Sequence, residues 1–133
     1  MEWLFTKKKL CVTILTGGRK MEHILKLQPK YFDYINNGTK RIELRLYDEK
    51  RQKIAIGDTI IFQKEPELET TMKVKVIGLL RYNTFEELFE DFDIEMMADK
   101  SMTKQELLSV LEEFYIPEKQ KQYGVVGIRI EKI

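Results

Sequence analysis

Residues Lys40 to Asp48 read KRIELRLYD. Aliphatic side chains at Ile42, Leu44 and Leu46 alternate with Arg41, Glu43, Arg45 and Tyr47, the two-residue period of a strand whose faces meet different surroundings. One face is apolar enough to enter a core. The other sets a carboxylate between two guanidiniums, where charge-assisted hydrogen bonds can hold it ionised with a lowered pKa. The segment is expected as a half-buried strand, so the fold that contains it needs a sheet with one charged face.

The flanking residues extend that expectation. HILKLQ, from His23 to Gln28, reads as a strand stopped by Pro29, which has no N–H for a central ladder. PKYFDYINNGT then predicts a short helix. Pro29 suits its first turn, Tyr31 or Phe32 shares a face with Ile35, and Asn36, Asn37 and Gly38 offer a left-handed cap. Lys40 is out of phase with the charged face of a regular strand, so it reaches that face only through a bend at Thr39–Lys40. Beyond a basic turn, EKRQK, that runs on to Gly57-Asp58, Thr59–Gln63 and Thr71–Tyr82 read as strands, with Gly78 marking a bulge. Thr84 with Glu87 and Thr103 with Glu106 are capping boxes opening two helices. Their apolar stripes are Leu88 with Phe85 or Phe92, and Leu107, Leu108 and Leu111 with Phe114 or Tyr115. Pro117 is expected to end the second helical region, and Tyr123–Ile133 to close the chain as a strand. Strands joined mostly by short turns suggest a curled or closed sheet with helices on its flanks, an α+β fold.

At 133 residues the chain suits one domain. Cys11 and His23 are each the sole residue of their type, which leaves no internal disulfide, no Cys-based zinc site and no multi-His centre. No metal or cofactor is expected. No apolar run approaches the roughly 18 residues of a membrane helix, and the expected compartment is the cytoplasm. Residues 1–20 stand apart as a basic segment. Their apolar core, LCVTIL, is about six residues, short of the roughly 7–15 of a signal peptide. They read either as an N-terminal extension or as a translated leader that is not native. In the second case Met21 is the start, because GGRK before it is what a purine-rich bacterial ribosome-binding site would encode in frame. Residues 21–133 are then the single domain. Five of the 23 basic residues and one of the 22 acidic ones fall in residues 1–20, so the body carries a net charge of −3. It is not a generic polycation, and any nucleic-acid contact needs a local patch.

GTKRIELR fits the pattern Gly-x-Lys-x-x-Glu-x-Arg. With LKLQPKYFDYINNG before it, DEKRQKIAIGDTIIF after it, and YNTFEELFEDF and YGVVGIRI following in order, the chain from about His23 onward resembles the ASCH family, a branch of the PUA-like β-barrels. The resemblance implies a small barrel with flanking helices and a cleft beside the Lys-Glu-Arg strand. It also implies RNA or nucleotide as partner, held as a short single-stranded segment or a modified nucleoside. Some relatives hydrolyse acetylated cytidine and some cleave RNA, so the alternative is a hydrolase or ribonuclease with Lys40 and Glu43 as its candidate catalytic residues. In the hydrolases the proposed nucleophile is a threonine three residues after the lysine. Here that position is Glu43, and a carboxylate does not replace a hydroxyl in acyl transfer without changing the chemistry. The remaining carboxylate of those enzymes falls near Asp99.

The candidate ligand contacts are Lys26, Lys40, Glu43, Arg45, Tyr47, Arg51 and Tyr82. Glu43 either clamps Arg45 or accepts from a base edge while Arg45 or Lys40 meets a phosphate; the two roles are compatible. Lys26, Lys50, Arg51, Lys53, Lys75 and Arg81 are candidates for a positive rim. Tyr47, Tyr82 and Tyr123 are candidates for stacking an unpaired base, each worth about 1–3 kcal/mol; each also suits a barrel edge, the role expected of Tyr123. His23 is expected as a strand-start residue rather than a base. The acidic FEELFEDFD makes the helices at 84–115 poor RNA contacts, so they belong on the back or over the cleft as a lid.

Overall fold

The structure, a computed structural model, describes residues 20–133; the extension or leader assigned to residues 1–20 lies, but for Lys20, outside them. Along the chain the elements are β1 (Glu22–Leu27), α1 (Pro29–Asn36), β2 (Ile42–Leu46), a 3₁₀ turn (Arg51–Lys53), β3 (Thr59–Lys64), β4 (Thr71–Tyr82), α2 (Phe85–Asp91), α3 (Ile94–Met97), α4 (Lys104–Phe114), α5 (Pro117–Tyr123) and β5 (Val125–Lys132). The strands lie in the order β1-β3-β4-β5-β2. The β1–β3 pair is parallel and the other pairs are antiparallel. The sheet curls into a half-barrel, the α+β architecture expected of a PUA-like barrel with flanking helices. Among the described residues its two free edges are β1 and β2, the strands that flank α1.

Two cores fix this shape. Inside the curl, Leu25, Phe32, Ile60, Phe62, Val74 and Ile128 pack together. On the other face, Ile42, Leu44 and Leu46 of β2 pack against Phe85, Leu88, Met97 and Leu107 of the helices. All five residues of β2 are therefore buried, which corrects the half-buried strand expected from its alternation. The helices cover its aliphatic face, and its charged face turns into the curl. No helix among the described residues is long and apolar enough to cross a membrane.

Local chemistry sets the element ends. Gly38 takes φ +90°, a conformation open to glycine, and its N–H donates to Ile35 O while the Lys40 N–H donates to Tyr34 O. The pairing of β4 with β5 slips between Val76 and Gly78, the bulge expected at that glycine. Thr103 and Glu106 form the reciprocal capping box; Thr84 only accepts, from the Glu87 N–H. α4 ends at Phe114, ahead of Pro117 as expected, and Pro117 in turn opens α5, since its fixed φ suits a first helical turn. Gln120 of α5 is buried, donates to Tyr115 O and accepts from the Phe85 N–H, tying three helices together. The last strand consequently begins at Val125 rather than Tyr123.

Gly127 of β5 has no room for a side chain. An added Cβ would lie 2.9 Å from Ile42 Cγ2 and 3.1 Å from Leu88 Cδ1, both side chains fully buried. Gly127→Ala is expected to lower stability by about 1–3 kcal/mol through overpacking. The check is a lower urea midpoint at an unchanged denaturant slope.

Candidate functional site

A cleft of about 640 Å³ opens along the seam between the two free edges. β1 and β2 form its walls, Tyr31 of α1 and Leu107, Val110 and Phe114 of α4 close it, and Lys50 and Arg51 stand at one side. Ile24 and Phe114 are more than half exposed, which gives the mouth an apolar lip. Five cations (Lys26, Lys40, Arg45, Lys50 and Arg51) and two carboxylates (Glu43 and Glu65) line it, so the cleft is positive although the body is not.

Lys40, Glu43 and Arg45 meet at its floor. The chain does not become a regular strand until Ile42, and the bend before it swings Lys40 over β2. Lys40 Nζ donates to the carbonyls of Ile42 and Met97, each at 2.6 Å, and lies 3.4 Å from Glu43 Oε1. Its three donors are thus occupied. Arg45 Nε donates to Glu43 Oε2 at 2.7 Å, and Arg45 Nη2 donates to Lys26 O at 2.8 Å, crossing the seam from β2 to β1. Glu43 so fixes the guanidinium from one side and β1 from another. Arg45 Nη1 takes no hydrogen bond among the described residues, and it is not among the sealed, unpartnered nitrogens. The Nε of Arg51 is sealed and unpartnered, while its Nη1 pairs with Asp48 at 3.1 Å.

The electrostatics follow from this packing. Burial pushes the Glu43 carboxyl up, but Arg45 and Lys40 beside it outweigh that and hold it below the usual carboxylate range. Burial draws the Lys40 ammonium below the usual lysine range, with Glu43 opposing. Burial works against the Arg45 guanidinium as well, but Glu43 keeps its pKa raised. Tyr31 and Tyr115 are both pushed up, chiefly by burial, so their hydroxyls stay protonated at the cleft wall.

The ASCH domain profile matches residues 25–133. The chain belongs to the ASCH family. Among solved structures it is similar to hypothetical protein PH0355, at 41% identity over 85% of this chain and 99% of that one, with a TM-score of 0.74. It is similar also to protein PF0455 from Pyrococcus furiosus, at 36% identity over 84% of this chain and 97% of that one, with a TM-score of 0.66. A ZmASCH mutant protein from Zymomonas mobilis, 12% identical over 84% of this chain and 68% of that one, shares the fold at a TM-score of 0.60. No match was found among curated proteins.

Of the residues singled out in this ASCH chain, the structure brings Lys26, Lys40, Glu43, Arg45 and Arg51 together in the cleft. The carboxylate sits between an ammonium and a guanidinium rather than between two guanidiniums. Arg41 is exposed, and its N–H donates to Met96 O outside the strand. Tyr47 and Tyr82 line a separate hollow. There the Tyr82 hydroxyl donates to Asp91, and burial together with that bond pushes its pKa up to about 12. Lys53 and Lys75 do not line the cleft. Nor does Asp99, whose carboxylate accepts from the backbone and hydroxyl of Ser101. His23 pairs with the buried Asp58 at 2.8 Å, at the start of β1. Of the two helices expected on the back or over the cleft, α4 covers the cleft and the acidic α2 packs away from it, against β4.

Two wall residues, Tyr31 and Tyr115, were legible only as members of apolar stripes. The available signal was the choice of tyrosine over phenylalanine, since a phenol needs one wet end.

Proposed function

We propose that this ASCH domain binds a nucleotide or a short single-stranded RNA segment in the seam cleft. The observation that carries this reading is Arg45. Its guanidinium is held rigid by Glu43 and Lys26 O, and its remaining edge faces the cleft, the geometry suited to a phosphate or a base edge. Lys26, Lys50 and Arg51 supply further positive charge, and Phe114, Tyr31 and Tyr115 offer aromatic surface beside it. In this reading Glu43 is the clamp and Arg45 the contact.

The same geometry weighs against the hydrolase and ribonuclease alternatives. A general acid or base needs a free lone pair or a proton within reach of the ligand. The donors of Lys40 are spent on two carbonyls and Glu43, and the carboxylate of Glu43 is held by two cations.

RNA binding measured against salt tests the reading. With about two or three phosphates contacted, the logarithm of affinity should fall against that of salt with a slope of about −1.4 to −2.1 for a single strand. Absence of any retention of single-stranded RNA at low salt would refute the reading.

A further inference from the structure

A second hollow, separate from the cleft, lies beyond β2. Arg45 stands opposite Val126, and Val126 opposite Arg81. The two arginines therefore leave the same face about 10 Å apart, two strand spacings. Tyr47, two residues beyond Arg45 on that face, packs against the inner core. The Arg81 guanidinium lies over its ring, 4.0 Å from the centroid. One side of the guanidinium plane is thus occupied by the phenol, while Arg81 itself is exposed. Its side-chain N–H groups take no hydrogen bond or ion pair among the described residues. Around this stack lies the hollow, of about 500 Å³, at the end of the half-barrel, walled by Tyr82, Asn83, Glu87, Lys121 and Tyr123.

We infer that this hollow is a second nucleotide subsite, in which an unpaired base stacks on the open face of the Arg81 guanidinium. Bases stack on arginine planes as they do on aromatic rings. The Tyr47 ring beneath fixes the orientation of the plane before the ligand arrives, so little freedom remains to be lost on binding. Lys121 is placed to meet the phosphate that links this base to its neighbour. Glu87, the carboxylate on the same wall, disfavours a second phosphate there and sets the polarity of the hollow. A single strand that reaches both hollows passes around the rim between them, since Val126, between the two arginines, is sealed in the inner core. A planar cation with one open face suits the broad π face of a nucleobase better than the small planar amide of a peptide unit. The inference rests on the reading of the cleft as a nucleotide site.

Fluorescence titrations of the full chain with a mononucleotide and with a single-stranded tetranucleotide test it. The wild-type protein is expected to bind the longer ligand roughly tenfold more tightly. Arg81→Ala changes an exposed side chain and leaves the cores intact. It should weaken tetranucleotide binding roughly five- to tenfold, the equivalent of one lost stack, and leave mononucleotide binding unchanged. Lys121→Ala should act in the same direction and also make the salt dependence shallower. If Arg81→Ala leaves tetranucleotide affinity where it was, or weakens both ligands alike, the second subsite is wrong while the cleft stands. If the wild-type protein binds neither ligand, the reading of the cleft fails and the subsite fails with it.

Discussion

Glu43→Ala is expected to lower the unfolding free energy by about 3–5 kcal/mol, the usual consequence of removing one partner from a buried ionic cluster. Lys40 and Arg45 are 3% and 8% exposed, so the two cations left behind cannot turn to water without opening the seam. Much of the loss comes from those stranded charges rather than from the attraction removed. Glu43→Gln keeps the shape and one acceptor toward Arg45, and should fall between the two. Acid unfolding separates the variants further. The carboxyl of Glu43 is held below its ordinary range in the folded protein. Its contribution is therefore complete above the unfolded value of about 4.3, and is lost as the pH falls through the lower folded value. Urea midpoints followed from pH 7 downward should show that decline in the wild-type protein and a shallower one in Glu43→Gln. Equal stability of wild type and Glu43→Ala at neutral pH would mean that the cluster is not buried as described.

That cluster was legible in the sequence only by halves. The alternation of KRIELRLYD placed Glu43 and Arg45 on one face, because a period of two is a property of the strand itself. The caps at Thr103 and Gly38 and the bulge at Gly78 were legible for the same reason; each depends on neighbours a few residues away. The acceptors that complete the site are not local. Lys40 is held by Met97 O, 57 positions further along, and Arg45 by Lys26 O on the opposite edge of the sheet. Full burial of β2 likewise required helices that lie far beyond it, from Phe85 onward. Tyr47 shows the limit of periodicity. It shares the face of Glu43 and Arg45, but β2 ends at Leu46, and the Tyr47 ring leaves the cleft for the stack under Arg81. Pro117 shows another limit, since proline both stops a helix and starts one, and only the packing of Gln120 decides that one starts here.

Arg45→Met carries the largest expected effect on binding. The substitution keeps most of the apolar stem and deletes the guanidinium, and with it the charged donors that face the cleft. Loss of a charge-assisted hydrogen-bonded contact of this kind is worth about 3 kcal/mol, or about a hundredfold in affinity for a nucleotide. Glu43 retains Lys40 as a partner, so the variant should remain folded, though less stable than the wild type. Circular dichroism and a urea midpoint on the same sample make that distinction before any titration. Arg45→Lys sharpens the test, because an ammonium restores the charge without the fork. A lysine that reaches Glu43 has no rigid second edge to turn toward the ligand, so it should recover stability more fully than affinity. The opposite pattern, full affinity in Arg45→Lys or in folded Arg45→Met, would move the anion contact away from Arg45. Lys26, Lys50 and Arg51 would then have to supply the specific contact as well as the positive field, and the rigid clamp at Glu43 would be a device of the fold alone.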